Sequence, residues 1–178
     1  MPGRKWTDEE KEAARQRALE RRAQKAQQEV VDALQTSSST PLVKALQMVQ
    51  LQKAISAIGM FSMFDAVLQD ELQCADGFRS AGELLEARGE SALKERFNDL
   101  QLAINVLKHG RGRSYDALVR KAGALPFRIK LPDEAFFDEG DVSEVATLVE
   151  VDDAFVMLCA QVIHEVSLVV CAPTRGGA

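Results

Sequence analysis

Aromatic residues are scarce in this chain, 6% of 178 residues, with one tryptophan and one tyrosine. Cysteines number three, Cys74, Cys159 and Cys171, far apart and without metal-ligand spacing. That pattern excludes a zinc module and a disulfide framework, and no metal or cofactor is expected. There is no phosphate-binding Gly-Lys loop, no dinucleotide fingerprint and no nucleophile triad, so a small-molecule enzyme has little support. The opening residues, MPGRKWTDEE, have no apolar core of the kind that directs secretion. With an odd cysteine count this leads to the expectation of reduced thiols in a cytoplasmic protein. The most apolar run, Ala54 to Leu68, contains Gly59 and Asp65 and falls short of the roughly 20 apolar residues that span a bilayer. It is expected to be a buried core helix, with no membrane partner.

What is abundant is helix-forming: alanine, leucine, glutamate, glutamine and arginine. The net charge of −5 bears on solubility alone. At this length one compact core with an appendage is expected.

Thr7 and Glu10 form a T-x-x-E capping box. The next segment, to about Leu34, is helix-friendly and poor in apolar residues. Residues 1–27 hold eight basic and five acidic side chains, a net of +3. Residues 1–39 are therefore expected to be a charged, loosely attached helical arm with a Ser-rich linker at Ser37–Ser39. Thr40 and Pro41 open a second helix, expected to run to about Ala75. Leu51, Ile55, Ile58, Phe61, Phe64, Leu68 and Leu72 recur on one of its faces, and Met60, Met63 and Val67 make a second stripe. Both are expected to be core.

A turn at Ala75–Arg79 and a Ser80–Glu83 capping box are expected to lead into a third helix. After Gly89 it resumes with Leu93, Phe97, Leu100, Ile104 and Leu107, a heptad-like seam, and ends at Gly110, a C-cap glycine. Ser114 is placed to cap a short helix to about Ala122. Pro126 and Pro132 break an irregular stretch in which Phe127–Leu131 is extended. Asp152 or Asp153 caps the last helix, with Phe155, Leu158, Val162 and Val166 inward and Cys159 as a small apolar residue. His164, in the middle of that helix, is expected to be structural. The tail, 173–178, is expected to be disordered. The fold class expected is all-α: residues 40–172 form an antiparallel bundle of four or five helices.

Charge is unevenly spread. Residues 108–130 carry seven basic side chains and one acid, Asp116, whereas residues 131–173 carry ten acids and no lysine or arginine. A basic segment that also holds the one tyrosine has the character of a phosphate footprint, with Lys108, Arg111, Arg113 and Tyr115 as candidate nucleic-acid contacts. The alternative is that the acidic segment folds over it and neutralises it. Asn105 and His109 lie four apart and share a helical face. A helix C-terminus favours protonated imidazole, so His109 and Asn105 are candidate catalytic residues for RNA cleavage beside arginines that hold phosphate. One histidine cannot be both general base and general acid, and a homodimer would supply the second. The plainer role for His109 is hydrogen bonding to the last helical carbonyls.

The pattern Asn105, three residues, His109, Gly110 resembles the motif of the HEPN superfamily, helical-bundle proteins of prokaryotic toxin, RNA-cleaving and antiviral defence systems. The family's arginine place holds Ile104, a member of the apolar seam. The resemblance implies a helical bundle that binds or cleaves RNA, and the exchange of arginine for isoleucine favours binding over cleavage. The competing expectation is a non-catalytic helical protein whose arm and acidic segment bind a protein partner.

Because residues 1–36 bury little apolar surface on this reading, deleting them should leave a soluble bundle with a cooperative thermal transition. Loss of that transition would make the arm part of the core.

Overall fold

The computed structural model describes Lys25, residues 40–134 and residues 147–171. The expectations of a loosely attached arm and a disordered tail fall outside the described residues. The chain divides into two units, Met1–Gln47 and Met48–Ala178, and the second holds the helical body. The protein is all-α, as the helix-rich composition predicts. Among the described residues five helices occur in order: α1 Thr40–Glu71, α2 Gly77–Ala87, α3 Ser91–His109, α4 Arg113–Arg120 and α5 Asp153–Val170, with a 3₁₀ turn at Ala122–Ala124. The Phe127–Leu131 piece is extended, as expected. Ile129 makes one antiparallel bridge to Val149, with Lys130 N–H donating to Leu148 O and Glu150 N–H to Arg128 O, both 3.0 Å.

The predicted seam of α3 is the centre of the body. Leu93, Phe97, Leu100 and Ile104 are buried and Leu107 packs at the edge. Phe97 gathers three rings: Phe61 and Phe64 of α1, both 6.1 Å away between centroids, and Phe78 of α2 at 5.5 Å. Edge-on and offset pairs of this kind add to the apolar area they bury. The opposite side is closed by α5, where Phe155, Cys159, Val162, Val166 and Val170 are buried. Asp152 caps α5 by accepting from Phe155 N–H at 2.7 Å, one of the two caps expected. Desolvation pushes the Cys159 thiol up to about 12, which fits the apolar role read for it.

Two expectations about helix starts are corrected. The cap of α2 is Asp76, whose carboxylate accepts from Arg79 N–H at 3.0 Å, so the Ser80–Glu83 box lies inside the helix. Gly77 is already helical because it docks on α1: a Cβ there would lie 2.7 Å from Asp65 O and from Leu68 Cβ. The tight docking starts the helix early and needs a glycine. Likewise α4 begins at Arg113 behind Gly112, not behind a Ser114 cap.

The expected inward face of α1 holds at Phe61, Phe64 and Leu68, with Ile58, Met60 and Leu72 packed at its edge, and is corrected elsewhere. Ala54, Ala57, Phe61, Phe64 and Leu68 form the buried stripe, at steps of three, four, three and four. Leu51, Ile55, Met63 and Val67 are exposed, at 43%, 59%, 73% and 51%. The alanines let the helix pack closely on one side, and no second layer covers the other among the described residues. The helix also outruns the Ala54–Leu68 segment: residues Lys44–Glu71 and Asp153–Val170 are each long and apolar enough to cross a membrane by length and composition alone. Ala54 to Leu68 is only the core of the run and leaves out its apolar flanks.

Phe97→Ala should cost about 3–5 kcal/mol by removing the ring that three others contact, whereas Ile55→Ala on the exposed side should change the unfolding free energy of the dilute, single chain by no more than about 0.5 kcal/mol. Chemical denaturation of the two variants checks both. Equal losses would mean the packed face of α1 is misassigned.

Candidate nucleic-acid interface

The C-terminal end of α3 and the turn into α4 hold most of the sequence-predicted site residues. Asn105, Lys108 and His109 are exposed on the last turns of α3. Ile104 and Val106, on the other side of the same helix, are buried, so the seam turns the polar strip outward. Gly110 then takes φ 73, ψ −143, and its N–H donates to Val106 O at 2.8 Å. A side chain is rarely tolerated at that φ, which accounts for the glycine that ends the helix. Arg111 and Arg113 come next, both exposed.

The α4 helix starts without a side-chain cap. Its first amides therefore face the turn that carries the arginines, an arrangement suited to an anion. Asp116 in the first turn offsets part of that field.

Tyr115 is a correction. Its ring is 4% exposed, and its hydroxyl donates to Lys130 O at 2.6 Å. The ring offers no open stacking face for a base. It ties α4 to the extended strip, and Arg111 covers it at 5.8 Å from guanidinium to centroid, a cation–π distance. One of the candidate phosphate ligands is thus steadied by the tyrosine that was expected to bind beside it.

The basic segment divides in two. In its later half Lys121 and Arg128 are neutralised by the protein itself, whereas Arg120 is exposed. Lys121 Nζ lies 2.5 Å from Asp99 Oδ1 and 3.4 Å from Glu95 Oε1, pinning the end of α4 to α3. Arg128 pairs with Glu134 at 2.7 Å. Of these acids only Glu134 belongs to the acidic segment 131–173; the acids that hold Lys121 come from α3. Among the described residues, Lys108, Arg111 and Arg113 form no ion pair. Asp99 is the one buried charged residue among those described, and hydrogen bonding to it raises the Lys121 pKa above the usual lysine value. Sequence reasoning missed this pair: Asp99 stands among Arg96, Asn98 and Gln101, where nothing in the sequence sets it apart from a solvated acid.

A second pair lies between α3 and α5. Arg96 Nη2 donates to Glu165 Oε2 at 2.5 Å. The Arg96 hydrogen bond, followed by one from Gln161, holds the Glu165 carboxyl below its usual range. His164, expected to be structural, is exposed on α5. No group of three or more His, Cys, Asp or Glu side chains placed to hold a metal exists among the described residues. A cleft of about 620 Å³ opens beside the 3₁₀ turn, between Phe127, Arg128, Glu134, Glu150 and Phe155. None of the predicted site residues lines it.

No family model, curated protein or solved structure matches this chain.

Lys121→Met leaves the buried Asp99 carboxylate without its cation, which should cost about 1–3 kcal/mol. The sign of the pH dependence follows from the raised ammonium pKa. The stabilisation is fully present below the unfolded lysine value of about 10.4 and is lost as pH rises through the folded one. Melting curves of wild type and variant should therefore differ by a constant amount at neutral pH and converge once the folded ammonium has titrated. A gap that persists there would place the effect in packing and not in charge.

Proposed function

We propose that this chain is an RNA-binding helical protein in which the turn from Lys108 to Ser114 engages backbone phosphates. The observation that carries this is the selective pairing of the basic segment: Lys121 and Arg128 are held by the protein's own acids, whereas Lys108, Arg111 and Arg113 are exposed at an uncapped helix start. Cations left unpaired in a protein of net charge −5 favour an anionic partner over a chance surface distribution. The resemblance to HEPN proteins points the same way and suggests a cytoplasmic setting in bacterial defence or a toxin system. Asn105 and His109, exposed on one helical face beside the turn, are the candidate catalytic pair. Ile104 stands in the family's arginine place and is buried at 4% exposure. An arginine at that position would lose its hydration, and none supplies the family's charge there. The activity proposed is binding without efficient cleavage.

A second reading, a helical protein that binds a protein partner, is favoured by the exposed apolar side of α1. Of the two surfaces expected to serve such a partner, the charged arm lies outside the described residues and the acidic segment is described only at 131–134 and 147–171.

Binding of a single-stranded RNA should weaken steeply with salt, by a slope of about −0.7 for each phosphate neutralised, roughly −2 for three contacts. Replacing Arg111 and Arg113 together by alanine should bring the slope to about −0.7. His109→Ala should leave the affinity unchanged and remove whatever cleavage exists. Salt-independent binding, or no binding at low ionic strength, would reject an RNA-phosphate role for the turn.

A further inference from the structure

The outer side of α1 is unusual for a solvent face. From Met48 to Gln69 the helix carries two charges, Lys53 and Asp65. Both belong to the inner flanks: Lys53 pairs with Asp153 at 3.0 Å and is 14% exposed, and Asp65 accepts from Gln69 at 2.8 Å. The outward stripe is therefore uncharged over its whole length. Its residues have a heptad spacing, Met48, Gln52, Ile55, Gly59, Ser62 and Ala66, flanked by Leu51, Met63 and Val67. Sustained spacing of this kind is a seam for another helix.

The order of sizes along the stripe identifies the helix that fits. Large residues occupy its first half, Met48 and Ile55, and small ones its second, Gly59, Ser62 and Ala66. A second copy laid antiparallel, with a two-fold axis level with Ala57, sets Met48 against Ala66, Gln52 against Ser62 and Ile55 against Gly59. Each large apolar side chain meets a small partner, and the one long polar side chain meets a hydroxyl. These are the alternating layers of an antiparallel pair. A parallel pair would set Met48 and Ile55 on themselves, leave Gly59 against Gly59, and bring Asp70 and Glu71 of both copies together. Gly59 has nothing within 4 Å of where its Cβ would be, so the stripe has room for a knob at that level.

The area fits a weak, concentration-dependent pair. Twenty residues of helix extend about 30 Å with a width of about 10–12 Å. Two such stripes pressed together bury roughly 600–720 Å² in total, the size of a transient interface. An uncharged face also gives two chains of net charge −5 a place to meet without like charges opposed.

We propose that the outer face of α1 pairs with the same face of a second copy, antiparallel about Ala57, to form an isologous dimer. Dimerisation and RNA binding use different surfaces, and either can fail alone. Sedimentation of the full chain at rising concentration should approach twice the 19.5 kDa chain mass. Ile55→Glu should weaken the dimer by about 100-fold or more, since it puts a carboxylate in the apolar seam. Gly59→Leu should do the same by filling the space that Ile55 of the other copy takes. Both positions are open in the single chain, so both variants should keep the helical signal. With Cys74 and Cys171 replaced by serine, the double variant M48C/A66C should oxidise to a covalent dimer. A chain that is monomeric at every concentration overturns the proposal, as does a dimer that survives both substitutions and does not cross-link. A monomer that co-sediments with neutral phospholipid vesicles overturns it in favour of a lipid surface.

Discussion

The ring of Phe97 is the contact on which the rest of the body depends. It meets Phe61 and Phe64 of α1 and Phe78 of α2 from the middle of α3, so three helices share one buried centre. In a chain with few aromatics, four of the eight phenylalanines are gathered there. Their burial fixes the rotation of α3 about its axis. Once Phe97, Leu100 and Ile104 face inward, Asn105, Lys108 and His109 have no choice but to face out. The candidate surface is thus a consequence of core packing.

Charge completes what packing begins. The body uses its acids to neutralise the cations that join elements, Lys121 between α4 and α3 and Arg96 between α3 and α5. These pairs hold α3 against its neighbours. The cations of the turn take no part in this, and its backbone is set by Gly110 and by Tyr115 underneath. An anion approaching the turn meets side chains on a fixed frame, which lowers the entropy lost on binding.

Much of this was legible in the sequence. The α3 seam, its glycine stop, the Asp152 cap, the extended strip and the apolar role of Cys159 all rest on local spacing or local chemistry. The failures share a cause: they concern what an element meets elsewhere. Asp76 replaced Ser80 as the cap because Gly77 docks against Asp65 and Leu68, a contact between helices. The inner face of α1 was read correctly at Phe61, Phe64 and Leu68 but misjudged at Leu51 and Ile55, because alanine carries little weight in a hydropathy pattern, yet Ala54 and Ala57 allow the close approach that selects the face. Tyr115 read as a ligand contact because composition cannot tell a buried ring from an open one. Asp99 was passed over for the same reason, since a buried acid looks in sequence like any solvated one.

The turn between α3 and α4 is, on the central claim, the surface that meets nucleic acid. The most direct test is an amide-resolved NMR titration of the intact chain with a short single-stranded RNA. The account predicts the largest shifts at Lys108 to Tyr115, with Asn105 next and α1 silent. Shifts concentrated at the cleft around Arg128 and Glu134, on the outer face of α1, or nowhere at all would contradict it.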